Sequence, residues 1–297
     1  MLVRFIAHAG LYIEEAGFSL LIDPWFLDST IEYPILESIG GGFKTIDFQI
    51  PKTPEQVEQY SPDAFLISHF HAHHSPVRDI RMLSENSLAK GKSVALYYPA
   101  GTDESESNVR AKVQGAVVKH PVHPGFSTKI GPFTIEAKAH TVPYHTAWFV
   151  TSTTGSVLHI ADAWVNKDRT LRKLDPVWLE LRDVSPTFLF LSAGGHAERS
   201  EKDGKRLLFE AGILSPTEAA QITQVIAPRA ASVIGVYNHS IWRNRHEYFQ
   251  QAPLAEDEFL WATAWLTPNT PVIRLRPGMT LGVGEQALRD RTAFYFA

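Results

Sequence analysis

The segment Ser68-His69-Phe70-His71-Ala72-His73-His74-Ser75 places four of the chain's 13 histidines within six consecutive positions. Imidazoles are bulky and repel one another once protonated, so such a cluster is costly in isolation. Neutral imidazole is also the commonest metal-ligating side chain, and a bound cation removes the cost. The chain has no cysteine, so a metal here would use nitrogen and oxygen ligands. A solvent-exposed histidine-rich turn is the plainer reading, but the flanks argue against it. Upstream, Asp63-Ala64-Phe65-Leu66-Ile67-Ser68 reads as a short buried strand. Downstream, Ser75 is placed to N-cap a helix whose first position is Pro76, with Val77, Ile80 and Leu83 on one face. The histidines therefore fall between the C-terminal end of a strand and a helix, where layered α/β proteins build their sites.

Other polar groups sit at predicted strand ends. Strands over Val3–Ala7, Leu11–Glu14 and Phe18–Asp23 bracket His8, and the third ends in Asp23-Pro24-Trp25-Phe26. Phe133–Ala139 is a strand ending at His140. Ala147–Ser152 and Ser156–Ala161 form a hairpin across Thr153-Thr154-Gly155, and the second strand runs into Asp162. The apolar strand Thr187–Ser192 leads to Gly194-Gly195-His196, and Ala231–Tyr237 ends at Asn238-His239. Ser93–Tyr98, Val117–Val122, Pro271–Leu275 and Met279–Val283 complete the predicted strands. Thr53-Pro54-Glu55-Gln56 and Ser215-Pro216-Thr217-Glu218 are capping boxes; the second opens a helix with Ala219, Ile222 and Val225 inward and Pro228 as its stop. Leu27–Ile50 is irregular, with Gly40-Gly41-Gly42 a turn lacking the lysine of a phosphate loop. Glu198–Arg206 reads as a charged, solvated loop. His120 and His123 read as surface histidines, and His145, His159 and His246 as structural ones.

Composition narrows the function. At 297 residues and 33.2 kDa, with 44% hydrophobic and 20% charged residues, the sequence suits a globular protein with ample core, read as one domain over residues 1–297. A net charge of -4 and the lack of a lysine/arginine run give no electrostatic case for nucleic acid. No apolar run approaches membrane-spanning length, and the N-terminal residues lack a signal-peptide pattern, so a cytoplasmic address is expected, with no membrane partner. A small-molecule substrate is the expected partner, and association into a homo-oligomer stays open.

Taken in order, His8, the histidine turn, His140, Asp162 and His239 resemble the metallo-β-lactamase superfamily. Its signature is H-x-H-x-D-H followed by a distant histidine, a strand-end aspartate and a last histidine. The similarity is greatest to the branch that holds L-ascorbate 6-phosphate lactonase and related metal-dependent hydrolases. It rests on Ala7-His8-Ala9 before Leu21-Ile22-Asp23-Pro24-Trp25-Phe26, on Ala139-His140 before Ala161-Asp162, on Ser192-Ala193-Gly194-Gly195-His196, and on Ser215-Pro216-Thr217-Glu218-Ala219-Ala220 before Asn238-His239. The resemblance implies a four-layer αβ/βα sandwich of the α/β (α+β) class, with the site along one edge. It also implies a binuclear metal site: His69, His71 and His140 on one ion, His74 and His239 on a second, and Asp162 bridging. Such a site would hold one or two divalent transition metals, zinc foremost, with manganese or iron as alternatives. It would use a metal-bound hydroxide against a small ester, lactone, amide or phosphoester, since a cation lowers the pKa of bound water toward 7.

His196 is placed as a residue near the substrate, and His8 as a further site residue. Trp25, Tyr144, Trp148, Trp164 and Trp242 would wall an apolar pocket, and Arg243 and Arg245 would hold a phosphate or carboxylate. One position departs from the pattern: the family's aspartate in the turn is His73 here. A neutral nitrogen at that place would either join the metal site or leave the second ion weakly held. It also keeps two alternatives alive, a di-iron redox enzyme (an oxygenase or oxidase) on the same fold and a non-catalytic metal-binding protein.

Overall fold

The structure, a computed structural model, describes residues 1–6, 9–26, 30–34, 43–47, 57, 59–70, 74–101, 117–166, 174–193, 196–202, 205–211, 214–234, 249–251, 255–275 and 278–282. His8, His71, His73, His239, Trp242, Arg243, Arg245 and His246 lie outside these residues. In chain order the elements are β1 (Leu2–Phe5), β2 (Leu11–Glu15), β3 (Phe18–Ile22), β4 (Thr30–Pro34), β5 (Phe43–Asp47), β6 (Ala64–Leu66), α1 (Val77–Ala89), β7 (Val94–Pro99), β8 (Val117–Val122), β9 (Ser127–Ile130), β10 (Phe133–Lys138), β11 (Ala147–Thr151) and β12 (Ser156–Ile160). There follow α2 (Pro176–Arg182), β13 (Phe188–Leu191), β14 (His196–Lys202), β15 (Lys205–Ala211), α3 (Pro216–Ile226), β16 (Ala231–Ile234), β17 (Phe249–Gln251), α4 (Ala255–Leu266), β18 (Val272–Arg274) and β19 (Thr280–Gly282).

Two seven-stranded mixed sheets carry the fold, ordered β19-β1-β2-β3-β6-β7-β8 and β18-β16-β13-β12-β11-β10-β9. Their central strands read as unbroken apolar runs because both of their faces are covered. In β3, Leu20 and Ile22 enter the core between the sheets, whereas Leu21 packs outward with Phe65, Ile80 and Leu83 toward α1. In β13, Phe188 and Phe190 point between the sheets, and Leu189 and Leu191 face Trp178, Leu181, Ile222 and Phe259 of the helices. The period-two alternation of strand side chains thus splits each run between two hydrophobic layers. The result is an αβ/βα sandwich. Among the described residues no helix is long and apolar enough to cross a membrane.

Local signals account for much of this. Ser215 caps α3 through the Glu218 N–H at 3.3 Å, and Glu218 accepts from the Ser215 N–H at 2.8 Å, so the capping box forms as its sequence predicts. The expected cap at Ser75 does not form: α1 begins at Val77, Pro76 holds the cap position, and no side chain caps it. In that first turn Asp79 is buried and accepts the Phe26 N–H at 2.7 Å, tying the helix to the end of β3. Two other expectations are corrected. The irregular Leu27–Ile50 stretch contains the β4–β5 hairpin. The expected charged loop Glu198–Arg206 is instead paired strand, β14 against β15 and β17. Its ladder pairs Lys202 with Lys205, on either side of Asp203-Gly204, a dipeptide that favours tight hairpin turns. β9, α2 and α4 carried no prediction.

Candidate metal centre

Parallel strands deliver the site residues to one edge. β3 runs parallel to β6, and Asp23 follows one while Ser68 and His69 follow the other. β10 and β12 both pair antiparallel with β11 and so share a direction; His140 and Asp162 follow their C-terminal ends. Ser68 O accepts the Thr146 N–H at 2.9 Å, lacing the turns of the two sheets together, and Thr141 Oγ1 accepts the Trp164 N–H at 3.0 Å within the second sheet.

The centre is a buried group of His69, His74 and Asp162, whose candidate ligand atoms all lie within 4.8 Å of one another. His69 Nε2 is 3.6 Å from Asp162 Oδ2, and His74 Nε2 is 3.8 Å from Asp162 Oδ1. Behind them lies Asp23, fully buried. The Ser68 N–H donates to its Oδ1 at 2.7 Å; Ser68 Oγ and His74 Nδ1 meet its Oδ2 at 2.6 and 2.8 Å. With Asp23 ionised, this network fixes both tautomers. His74 must donate from Nδ1; Ser68, donating its only hydroxyl proton to Asp23, can accept only from His69 Nδ1, 3.0 Å away. Each ring then turns a lone pair, on Nε2, toward the Asp162 carboxylate. Acceptors facing one another at these distances call for a cation between them, and the donor set of two imidazoles and a carboxylate suits a divalent transition metal. Burial pushes the Asp23 carboxyl up, opposed by the Ser68 donors; a neighbouring cation would favour its ionised form.

His140 stands further off. Its Nδ1 accepts the Val142 N–H at 3.1 Å, while Nε2 is buried without a partner among the described residues. Burial, and next the His145 ring, hold its pKa well below the ordinary imidazole value, which keeps it neutral. The Val142 bond puts the proton of that neutral ring on Nε2, so ligation through Nε2 requires this bond to be exchanged. His196 is the first residue of β14, and its side chain is outside those described.

Three residues belong to this centre without having been assigned to it from sequence. Asp23 and Ser68 are the tautomer-fixing pair; the turn Asp23-Pro24-Trp25 was visible, but nothing in it shows that a buried carboxylate faces the histidines 51 residues on. His145, read as structural, lies against His69. His159 is structural as expected: buried in β12, it donates from Nε2 to Ala9 O at 2.8 Å. The expected aromatic pocket wall is corrected in part. Trp148, in β11, is sent between the two sheets by strand alternation, and Trp25, past the end of β3, is buried, whereas Tyr144 is 62% exposed. His120 stacks on Tyr97 at 4.8 Å, on the outer strands.

No family model and no curated protein sequence matches the chain. Solved structures do. The metallo-β-lactamase fold protein YhfI from Bacillus subtilis is 16% identical with a TM-score of 0.60, covering 95% of this chain and 98% of that one. The metallo hydrolase Igni18 from Ignicoccus hospitalis is 15% identical with a TM-score of 0.58, covering 94% and 97%. CmlA, a diiron β-hydroxylase from Streptomyces venezuelae, is 17% identical with a TM-score of 0.63. The match covers 94% of this chain and 53% of CmlA, so the chain spans about half of that protein's length. With the two sheets and their flanking helices, these likenesses show that the chain has the metallo-β-lactamase fold.

Proposed function

We propose that this chain is a metal-dependent hydrolase acting on a small ester, lactone, amide or phosphoester. The observation that carries the proposal is the facing of His69 Nε2 and His74 Nε2 onto the Asp162 carboxylate. In this reading, which follows the family resemblance, His69, His71 and His140 would hold one ion, His74 and His239 would hold a second, and Asp162 would serve both, with His73 in the place of the usual aspartate. A bound divalent ion would supply Lewis acidity and a nucleophilic water near neutral pH. The chain supplies the rest: Ser68 and Asp23 lock the imidazole tautomers, Asp162 would orient the nucleophilic water, and His196 and His8 are assigned to the substrate by the family resemblance. The segments from Ala7-His8-Ala9 to Asn238-His239 favour the lactonase-like branch, and a small cytoplasmic substrate fits the acidic net charge of -4 better than a polyanion.

A second reading has specific support. His73 removes a hard carboxylate from the pair and favours a redox-active metal, and a diiron hydroxylase is among the structural neighbours. Elemental analysis and the ultraviolet-visible spectrum of freshly purified protein separate the two. Zinc or manganese without colour, with turnover of an ester or lactone panel, supports hydrolysis. Iron with charge-transfer bands supports the redox reading. Protein that is metal-free and cannot be reconstituted sinks both and leaves a non-catalytic role.

A further inference from the structure

His69 is held on three sides. Ser68 Oγ meets its Nδ1 edge at 3.0 Å, the His74 ring tilts against one side with centroids 3.9 Å apart, and the His145 ring stacks on it at 4.0 Å with only 19° between planes. His145 in turn lies 5.4 Å from His140 at 29°. Four imidazoles thus form one column in the order His74, His69, His145, His140. His145 is not in the group of candidate ligand atoms formed by His69, His74 and Asp162, and its plane lies within 19° of that of His69. The two rings meet in a face contact.

The turn that carries His145 is built for this placement. Tyr144 adopts φ +60, a left-handed conformation that costs a bulky side chain free energy and persists only where its surroundings enforce it. The His145 N–H donates to Val142 O at 3.3 Å, and its Nδ1 donates to Pro143 O at 2.8 Å. Next in sequence, Thr146 N–H bonds Ser68 O, beside the histidine turn itself. The ring is thus fixed by its own turn, which passes through the left-handed region at Tyr144.

We propose that His145 is a positioning residue of the metal centre: by stacking on His69 it holds that ring's Nε2 toward Asp162. The proposal rests on the metal-site reading above for its function but on ring packing for its geometry, and the two can fail separately. The test compares the full chain with His145→Ala, which removes the face, His145→Phe, which keeps a flat ring without nitrogen, and His123→Ala as a control at an exposed site. Two readouts are taken: affinity for Co2+ with its d–d spectrum, and the His69 ring Cε1–H signal of the metal-free protein by NMR.

His145→Ala is expected to weaken Co2+ binding 10–100-fold, in the range of supporting residues around metal ligands. It should also alter the d–d bands and shift or broaden the His69 signal, with the far-ultraviolet circular dichroism retained. His145→Phe is expected to restore affinity to within about threefold and a single His69 signal, as ring packing alone requires. A Phe variant as weak as the Ala variant overturns the proposal, because the nitrogen rather than the ring face would then be what matters. Unchanged affinity and an unchanged His69 signal in His145→Ala overturn it as well. Wild-type protein that takes up no metal defeats the hydrolase reading, whereas the His69 signal still decides the stacking claim.

Discussion

His74 Nδ1 lies 2.8 Å from Asp23 Oδ2, across 51 residues of sequence, with both side chains fully buried. Asp23 follows β3 and His74 precedes α1, so the parallel pairing of β3 with β6 brings them together. The same carboxylate takes the Ser68 backbone and hydroxyl donors. One buried acid therefore decides which nitrogen of two imidazoles faces Asp162, and a substitution there that keeps its size should be felt chiefly at the metal.

Asp23→Asn preserves the size of the side chain but turns an amide N–H2 toward a group of donors. Metal affinity is expected to fall 10–100-fold. Asp23→Ala should also lose stability, by about 1–2 kcal/mol more, because Asp23 sits at φ +44, a region that Asn tolerates and Ala does not. Competition with a chelating dye and urea unfolding separate the two losses. An Asn variant that binds metal as the wild type does would show that tautomer control is not the role of Asp23.

His140→Ala and His239→Ala are each expected to lower bound metal and activity by more than the 10–100-fold typical of a supporting residue, while the fold survives. His123→Ala is the matched control and should change neither. For His140 the structure adds a condition, since the Val142 N–H bond to Nδ1 must be exchanged when Nε2 becomes a ligand. Metal loading should therefore move the Val142 amide resonance. A Val142 amide indifferent to metal, together with full metal content in His140→Ala, would remove His140 from the site.

The pH dependence of the metal-free protein should carry the mark of His159. Burial pushes its pKa down to about 4, against an ordinary value of 6.5. The sign follows from proton uptake. Above about pH 6.5 neither state binds the proton and the contribution to stability is fully present. Between pH 6.5 and 4 the unfolded chain is protonated and the folded one is not, so stability falls as pH falls. By pH 4 the loss is about 3 kcal/mol. His140, with its pKa also depressed by burial, adds a loss of the same sign. Urea midpoints of wild type and His159→Asn from pH 7.5 to 4.5 should converge as pH falls, because the variant lacks one of the two terms. Parallel curves would mean that His159 takes up its proton within the fold.

His73→Asp restores the carboxylate that the family pattern places in the turn. A negative charge beside two cations offsets their repulsion, so the weaker of two metal dissociation constants should fall and the tighter one should barely change. Titration calorimetry with Zn2+ reads both. If neither constant moves, and His73→Ala is equally silent, position 73 is outside the ligand sphere.

What the sequence determined by itself is local and compositional. The histidine turn, the strand ends at His140 and Asp162, the hairpin at Thr153-Thr154-Gly155 and the Ser215–Glu218 capping box are all written in short windows, where periodicity and side-chain-to-backbone bonding act within a few residues. The absence of cysteine already restricted any metal to nitrogen and oxygen ligands. The tertiary structure decided which of those groups meet. Asp23 is one strand-end acid with no assigned role until β3 pairs with β6. His145 is one more loop histidine until the turn after β10 is laced to Ser68. Trp148 is a plausible pocket wall until strand alternation sends it between the sheets. The loop reading of Glu198–Arg206 failed because backbone hydrogen-bonding groups take the partners that packing makes available, here β15 and the distant β17.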